Sequence, residues 1–313
     1  MKRFFAIGVL LIGAVAAAQA DGGAPVSLVF GERNFIECQL GTLPLVIAVP
    51  HGGYERPVDL PDRSTGVMTM DANTQELGRV IADVIQQRAG GTPHLVLCHL
   101  HRSKLDANRD LAEAAQGSAL AERAWREHHG FIEKACQTAV AQHGFAFLID
   151  LHGHGHPEAR VELGYLHGPE DLADCPDKIS NEVFVQAGSL AWLAERVPGG
   201  YGELLHGERS LGALLEARGF LATPSPRMPV PSTPFFRGGY TVARHCKPAA
   251  SVAGLQIEAN RPKLRDTEAN RLRFAEALAA ALDQFLISHL QVGLAGRPGG
   301  AGLPGLPLGG ASD

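Results

Sequence analysis

Two histidine segments stand at the ends of apolar runs, where an ordinary core has no need of imidazole. The first is Val49-Pro50-His51-Gly52-Gly53, in which two glycines let the backbone give way to a ligand. The second is Ile149-Asp150-Leu151-His152-Gly153-His154-Gly155-His156. Residues two apart share one face of a strand, so Asp150 and His152 point the same way. A carboxylate so placed orients the ring as metal-bound histidines usually are oriented. A polar, glycine-rich turn with satisfied histidines is the plainer description. Three histidines beside a buried Asp at a strand end favour a metal site instead.

Directly after the apolar run that ends at Leu100 comes His101-Arg102-Ser103-Lys104-Leu105-Asp106-Ala107-Asn108-Arg109-Asp110. Guanidinium groups bind carboxylates through paired N–H bonds, so two arginines and an asparagine leaving a strand end form a carboxylate clamp. A solvated charged loop is the alternative, and the strand end facing the same site argues against it. In Gly254-Leu255-Gln256-Ile257-Glu258-Ala259-Asn260-Arg261, Glu258 interrupts an apolar strand, which is costly unless the acid is paired or functional. Beside zinc it could take a proton from water and hand it to a leaving amine; otherwise an ion pair with Arg261 or Arg265 would account for it. Upstream, Phe235-Phe236-Arg237-Gly238-Gly239-Tyr240 reads as a flexible loop that offers Tyr240 to a substrate.

These residues need a scaffold. Apolar runs of strand length cover residues 43–49, 94–100, 145–151, 161–166 and 252–258. Several are nearly continuous, as in strands buried on both faces. Residues 71–88 place Leu77, Val80, Ile81, Val84 and Ile85 on one helical face, with Asp71 suited to the N-cap and Gly90-Gly91 beyond the end. Residues 119–143 and 267–289 read as long helices, and 189–195 and 210–216 as short ones. The alternation predicts an α/β fold with a mixed, largely parallel central sheet flanked by helices, and a site at the carboxyl ends of its strands.

The ordered set PHGG, DxxT, HRSKxDANR, DLHGHG, GGY and QxE followed by R resembles the N-formylglutamate amidohydrolase family, itself similar to the zinc carboxypeptidases and aspartoacylase. The resemblance runs from about Leu45 to Arg265 and implies a phosphorylase/hydrolase-like, zinc carboxypeptidase-like fold with one zinc ion per chain. By resemblance, His51 and His152 are zinc ligands, and Asp150 also matches the aspartoacylase pattern. Asn108 and Arg109 would grip a substrate carboxylate, Arg102 would polarise the scissile carbonyl, and Glu258 would be the general acid/base. One ligand departs from the pattern: the relatives have Glu three residues after the first His, where Tyr54 stands. Glu55 is one step further on. Asp71 is preferred, because Asp71-Ala72-Asn73-Thr74-Gln75 opens a helix as the relatives' Glu does, which makes residues 52–70 an insertion.

The implied reaction is hydrolysis of an amide bond next to a substrate carboxylate, in a small N-acyl amino acid or a peptide. A secreted carboxypeptidase or cell-wall peptide amidase could use the same groups. A non-catalytic periplasmic zinc-binding protein would need neither the clamp nor Glu258, and no long His-rich acidic tract occurs. No GxSxG elbow points to a serine hydrolase.

Composition sets the context. The chain has 313 residues, 45% hydrophobic and 19% charged, enough for a sizeable core. Lys2 and Arg3 precede an apolar run over residues 4–18 and then Ala18-Gln19-Ala20, the order of a secretory signal peptide over residues 1–20. The run is short for a bilayer span, so a soluble, exported product in the periplasm or medium is expected. The chain carries 28 basic and 33 acidic residues without a basic cluster, which argues against nucleic acid or anionic lipid as a partner. Five cysteines (Cys38, Cys98, Cys136, Cys175 and Cys246) show no CxxC spacing, and their pairing stays open. Residues 294–313 are rich in Gly, Pro and Ala and read as a disordered tail, leaving 24–292 as one domain.

Overall fold

The computed structural model describes residues 27–173, 181–197 and 199–296, so the signal-peptide segment, Cys175 and most of the tail lie outside the described residues. The four most apolar runs form the middle of a single sheet: β3 (Leu45–Val49), β4 (His94–Cys98), β5 (Ala146–His154) and β8 (Val252–Asn260). β3 pairs in parallel with β4 and β5, and β5 in parallel with β8. The other four strands are β1 (Ser27–Phe30), β2 (Ile36–Leu40), β6 (Val161–Gly164) and β7 (Ala222–Thr223), and the order across the sheet is β1-β2-β4-β3-β5-β8-β6-β7. β1, β2 and β6 pair antiparallel with their inner neighbours, so the sheet is mixed and largely parallel, as expected.

Alternate residues of the central strands feed opposite layers. Leu45, Ile47 and Val49 pack into one core, together with α1 (Thr74–Ala89). Val46 and Ala48 pack into the other, which contains residues of α2 (Leu111–Ala115) and α3 (Ala119–His143). Short helices α4 (Pro169–Ala173), α5 (Glu182–Ala187), α6 (Ala191–Ala194), α7 (Gly200–His206), α8 (Leu211–Glu216) and α9 (Tyr240–His245) follow, and α10 (Glu268–Leu290) lies in the first layer against α1.

Helix ends obey local chemistry. Ser118 accepts a hydrogen bond from Ala121 N–H at the start of α3, and Gly144 closes it in the left-handed region at φ 83°. Helix α1 differs from expectation: it begins at Thr74 behind Asn73, not at Asp71. The Asp71 carbonyl accepts from Thr74 N–H and Oγ1, while the Asp71 carboxylate turns away from the helix. Past α10 the fold continues beyond residue 292, since Leu294 is buried and its N–H donates to Asp283 Oδ1 at 2.9 Å. Cys38, Cys98, Cys136 and Cys246 are buried free thiols. Among the described residues no helix is long and apolar enough to cross a membrane.

The fold buries imidazoles in the neutral form, which sets its acid response. Burial pushes His94, His129 and His167 down to about 4 and His245 to about 3, from an ordinary 6.5. Neutrality is built into the contacts: His94 Nδ1 accepts from Gly41 N–H at 3.0 Å, and His129 Nδ1 and His245 Nε2 share one hydrogen at 2.9 Å. Folded-state values below the unfolded value mean that the unfolded chain binds protons first as pH drops. The stability these histidines contribute should therefore be complete above about pH 6.5 and fall by several kcal/mol as pH approaches about 4. Urea titrations across that range test this; a midpoint constant to pH 4 would contradict it.

Candidate metal centre

Strand β3 delivers His51 two residues past its end, β5 carries His152, and the segment before α1 carries Asp71. One ligand atom from each of the three lies within 4.8 Å of the others, and all three residues are buried. The Nδ1 atoms of both imidazoles face Asp71 Oδ2, at 3.4 Å from His51 and 3.0 Å from His152. Glu55 does not join them. It is exposed, and its backbone is bonded to the carbonyl of His99 and the N–H of His101. The glycines after His51 yield to protein rather than to a ligand: a Cβ on Gly53 would meet the carbonyls of His99 and Leu100, and one on Gly52 would meet Thr74 and Gln75. That close approach seats the strand end against the start of α1.

Each imidazole turns its other nitrogen to a second carboxylate. His51 Nε2 lies 2.6 Å from Asp106 Oδ1, and His152 Nε2 lies 3.0 Å from Asp150 Oδ2. The Asp150 contact is close but outside hydrogen-bonding alignment, so this fully buried carboxylate acts on the ring chiefly through its charge. A proton held on His51 Nε2 by Asp106 leaves the Nδ1 lone pair of His51 aimed inward, while His152 presents Nδ1 to Asp71 and accepts from Asn108 Nδ2 at Nε2. His51 Nδ1 is buried and has no hydrogen-bond partner. Such an orphaned acceptor beside a second imidazole and a carboxylate fits a divalent cation, and two nitrogens with one oxygen suit zinc. Asp106 is the residue that sequence reasoning missed. It also accepts from Arg102 Nε at 2.9 Å and from Asn108 N–H at 3.2 Å, and its position inside the DANR stretch was the available signal.

Charge follows from this packing. Burial alone would raise Asp71, but the imidazoles of His51 and His152 outweigh it and hold the acid well below the carboxylate range. Burial is likewise outweighed at Asp106, by His51 and then by Arg102 and Arg109. At His152 burial opposes the charged ring, and Asp150, Asp71 and Glu258 together raise it well above its ordinary value. Glu258 goes the other way. Burial pushes it up to about 8, with Asp71, Glu162 and Asp150 adding to the effect and His152 opposing it.

Glu258 stands beside His152 in the β5–β8 register and accepts a hydrogen bond from Gln256 Nε2 at 2.9 Å. The ion pair that would have made it structural is absent among the described residues. Arg265 gives its donors to the carbonyls of Ala259, His154 and Ala72, filling the space that Gly153 leaves. The three ligand candidates open into a cavity of about 670 Å³, whose wall also includes Arg102, Asn108, Arg109 and Glu258.

Two expected substrate contacts look different in three dimensions. Asn108 is engaged by the protein: Nδ2 lies 3.0 Å from His152 Nε2 and 3.4 Å from Gln256 Oε1, and Oδ1 accepts from Thr241 N–H at 2.8 Å. Tyr240 is not part of the cavity wall and not in a loop. It opens α9, packs its ring against His129 and Trp125, and accepts from Arg244 Nη1 at 3.2 Å; Gly238 and Gly239 line the cavity in its place. Arg109 reaches the cavity while donating to Glu113 and to the carbonyl of Asn108. His154, His156 and Glu162 form another close group, but His154 Nε2 is bonded to the Arg160 carbonyl, and Arg160 itself pairs with Glu162. A guanidinium on the carboxylate opposes a cation there.

No family profile and no curated protein matches the sequence. The fold is similar to the crystal structure of N-formylglutamate amidohydrolase from Ralstonia eutropha JMP134, with a TM-score of 0.50 and 15% identity over 79% of this chain and 93% of that one. A gene product from Agrobacterium tumefaciens aligns with a TM-score of 0.47 and 15% identity over 81% of this chain and 96% of that one. The resemblance read from the motifs is thus present at the level of the fold.

Proposed function

We propose that the protein is a zinc-dependent hydrolase of an amide bond next to a substrate carboxylate, similar in chemistry to N-formylglutamate amidohydrolase. One observation carries the reading: the orphaned His51 Nδ1, Asp71 and His152 meet on the wall of the same cavity as Glu258 and Arg102. A zinc ion held by those three residues would supply Lewis acidity and lower the pKa of water at an open position. The rest is work for the chain. Burial raises the Glu258 carboxyl, so its ionised form is basic enough to take a proton from the attacking water, and the acid so formed passes that proton to the departing nitrogen. Arg102, braced by Asp106, offers its guanidinium to the carbonyl oxygen as negative charge develops. Asn108 and Gln256 keep His152 and Glu258 in register. The products are a carboxylic acid and an amine.

A second reading, a secreted carboxypeptidase or cell-wall peptide amidase, is favoured by the size of the cavity. About 670 Å³ falls within the range of sites for drug-sized ligands and exceeds what a formyl amino acid needs. Export follows from the basic, apolar and small-residue order of the first twenty residues, and it suits either substrate. A non-catalytic zinc carrier would gain nothing from Glu258 buried beside the cluster. The test is amine release from N-acyl amino acids and short peptides by the purified mature protein, with and without chelator. Chelator-sensitive release is expected, and release that survives metal removal would refute the assignment.

A further inference from the structure

Arginines reach the cavity at four positions, and three of them are engaged. Arg102 is held by Asp106, with Asp71 Oδ1 3.6 Å away; Arg109 is held by Glu113; and Arg265 is held by three backbone carbonyls. Arg261 is different. It lines the cavity, is exposed, and makes no hydrogen bond or ion pair with any described residue.

Its root is fixed all the same. Asn260 Nδ2 donates to the Pro262 carbonyl at 2.6 Å, and Arg265 Nε donates to the Ala259 carbonyl at 3.0 Å, so the backbone on both sides is tied down. The result is an anchored stem with a free planar head. No acid among the described residues pairs with it, and its charge is felt at Arg265, whose own value it helps to lower behind the larger effect of burial.

We infer that Arg261 anchors the substrate carboxylate and thereby selects anionic N-acyl amino acids or peptides over their neutral amides. The inference rests on the hydrolase reading above and deepens it. In such a substrate the amide nitrogen and the carboxylate carbon are bonded to the same carbon atom. The group that protonates the nitrogen and the group that holds the carboxylate must therefore be neighbours, and Arg261 lies three residues beyond Glu258 where β8 ends. A free guanidinium binds a carboxylate through two parallel hydrogen bonds, a role for which Asn108 has no group to spare.

The experiment is calorimetric binding of twenty N-acetyl amino acids and the matching twenty carboxamides to the full mature protein, with and without zinc. Hydrolysis of each bound member is then followed separately. Wild type should prefer the best carboxylate over its carboxamide by about 10- to 100-fold. Arg261→Gln should lose that preference and Arg261→Lys keep part of it, with zinc content and Tm unchanged because the side chain makes no hydrogen bond or ion pair with a described residue. For a hydrolysed member, Arg261→Gln should raise KM far more than it lowers kcat. Absence of binding, absence of a carboxylate preference, or a preference that persists in Arg261→Gln would overturn the inference. A preference that depends on Arg261 without any hydrolysis would sustain the anchor and refute the hydrolase.

Discussion

Glu258→Gln should keep its metal and lose turnover by roughly 10²- to 10⁴-fold, the usual contribution of a positioned general acid/base. The substitution keeps size and shape, and a glutamine carbonyl can accept the hydrogen bond that Gln256 Nε2 now gives to Glu258 Oε1. What it removes is the ability to gain and lose a proton. Stability supplies an independent check on the zinc-free protein. Burial raises Glu258 to about 8 from an ordinary 4.5, so at neutral pH the unfolded chain is ionised where the folded one holds a proton. A carboxyl raised in this way is neutral below the lower value, weakens the fold increasingly as pH rises to the higher one, and keeps that full effect above it. Glu258→Gln should therefore raise Tm at pH 7 and leave it unchanged at pH 4. A variant that is folded, zinc-loaded and still fully active would remove Glu258 from the scheme.

Zinc affinity should separate three acidic residues by large factors. Asp71→Ala removes a proposed ligand and leaves two imidazoles without the carboxylate between them, so its loss should exceed that from any outer partner. Asp106→Asn should weaken zinc by roughly 10- to 100-fold, since it disturbs the partner that orients His51. Glu55→Ala should leave affinity unchanged, because that side chain is exposed and away from the cluster. Competition titration with a chromophoric chelator gives all three values. Equal affinity in Asp71→Ala and wild type would sink the ligand assignment.

The parts legible in the sequence share a physical cause. Leu45–Val49, His94–Cys98, Ala146–His154 and Val252–Asn260 form the buried middle of the sheet, so the apolar runs inside them, residues 45–49, 95–98, 146–149 and 252–255, are continuous and survive without knowledge of neighbours. Helices α3 and α10 were legible for a local reason too, as Ser118 and Thr267 cap them with their own hydroxyls. The outer part of the sheet was harder. Ile36–Leu40 mixes Glu37 and Gln39 with apolar residues, and Glu37 is accommodated only by Arg79 at 2.7 Å and His99 at 3.0 Å, contacts made across the fold.

The candidate site divides along the same line. By itself the sequence determined that His51 and His152 stand where apolar runs give way to polar residues, that Glu258 interrupts an apolar strand, and that a charged loop follows β4, because each is a property of a short segment and its periodicity. Only the tertiary structure decided which groups meet. It brought Asp71 rather than Glu55 to the histidines, set Asp106 behind His51, committed Asn108 to His152 and Gln256, turned Tyr240 into α9, and left Arg261 free at the cavity. Hydrogen-bond partners are assigned by distance in space, and residues far apart in the chain, such as Asp71 and His152, become neighbours only once β3 and β5 pair.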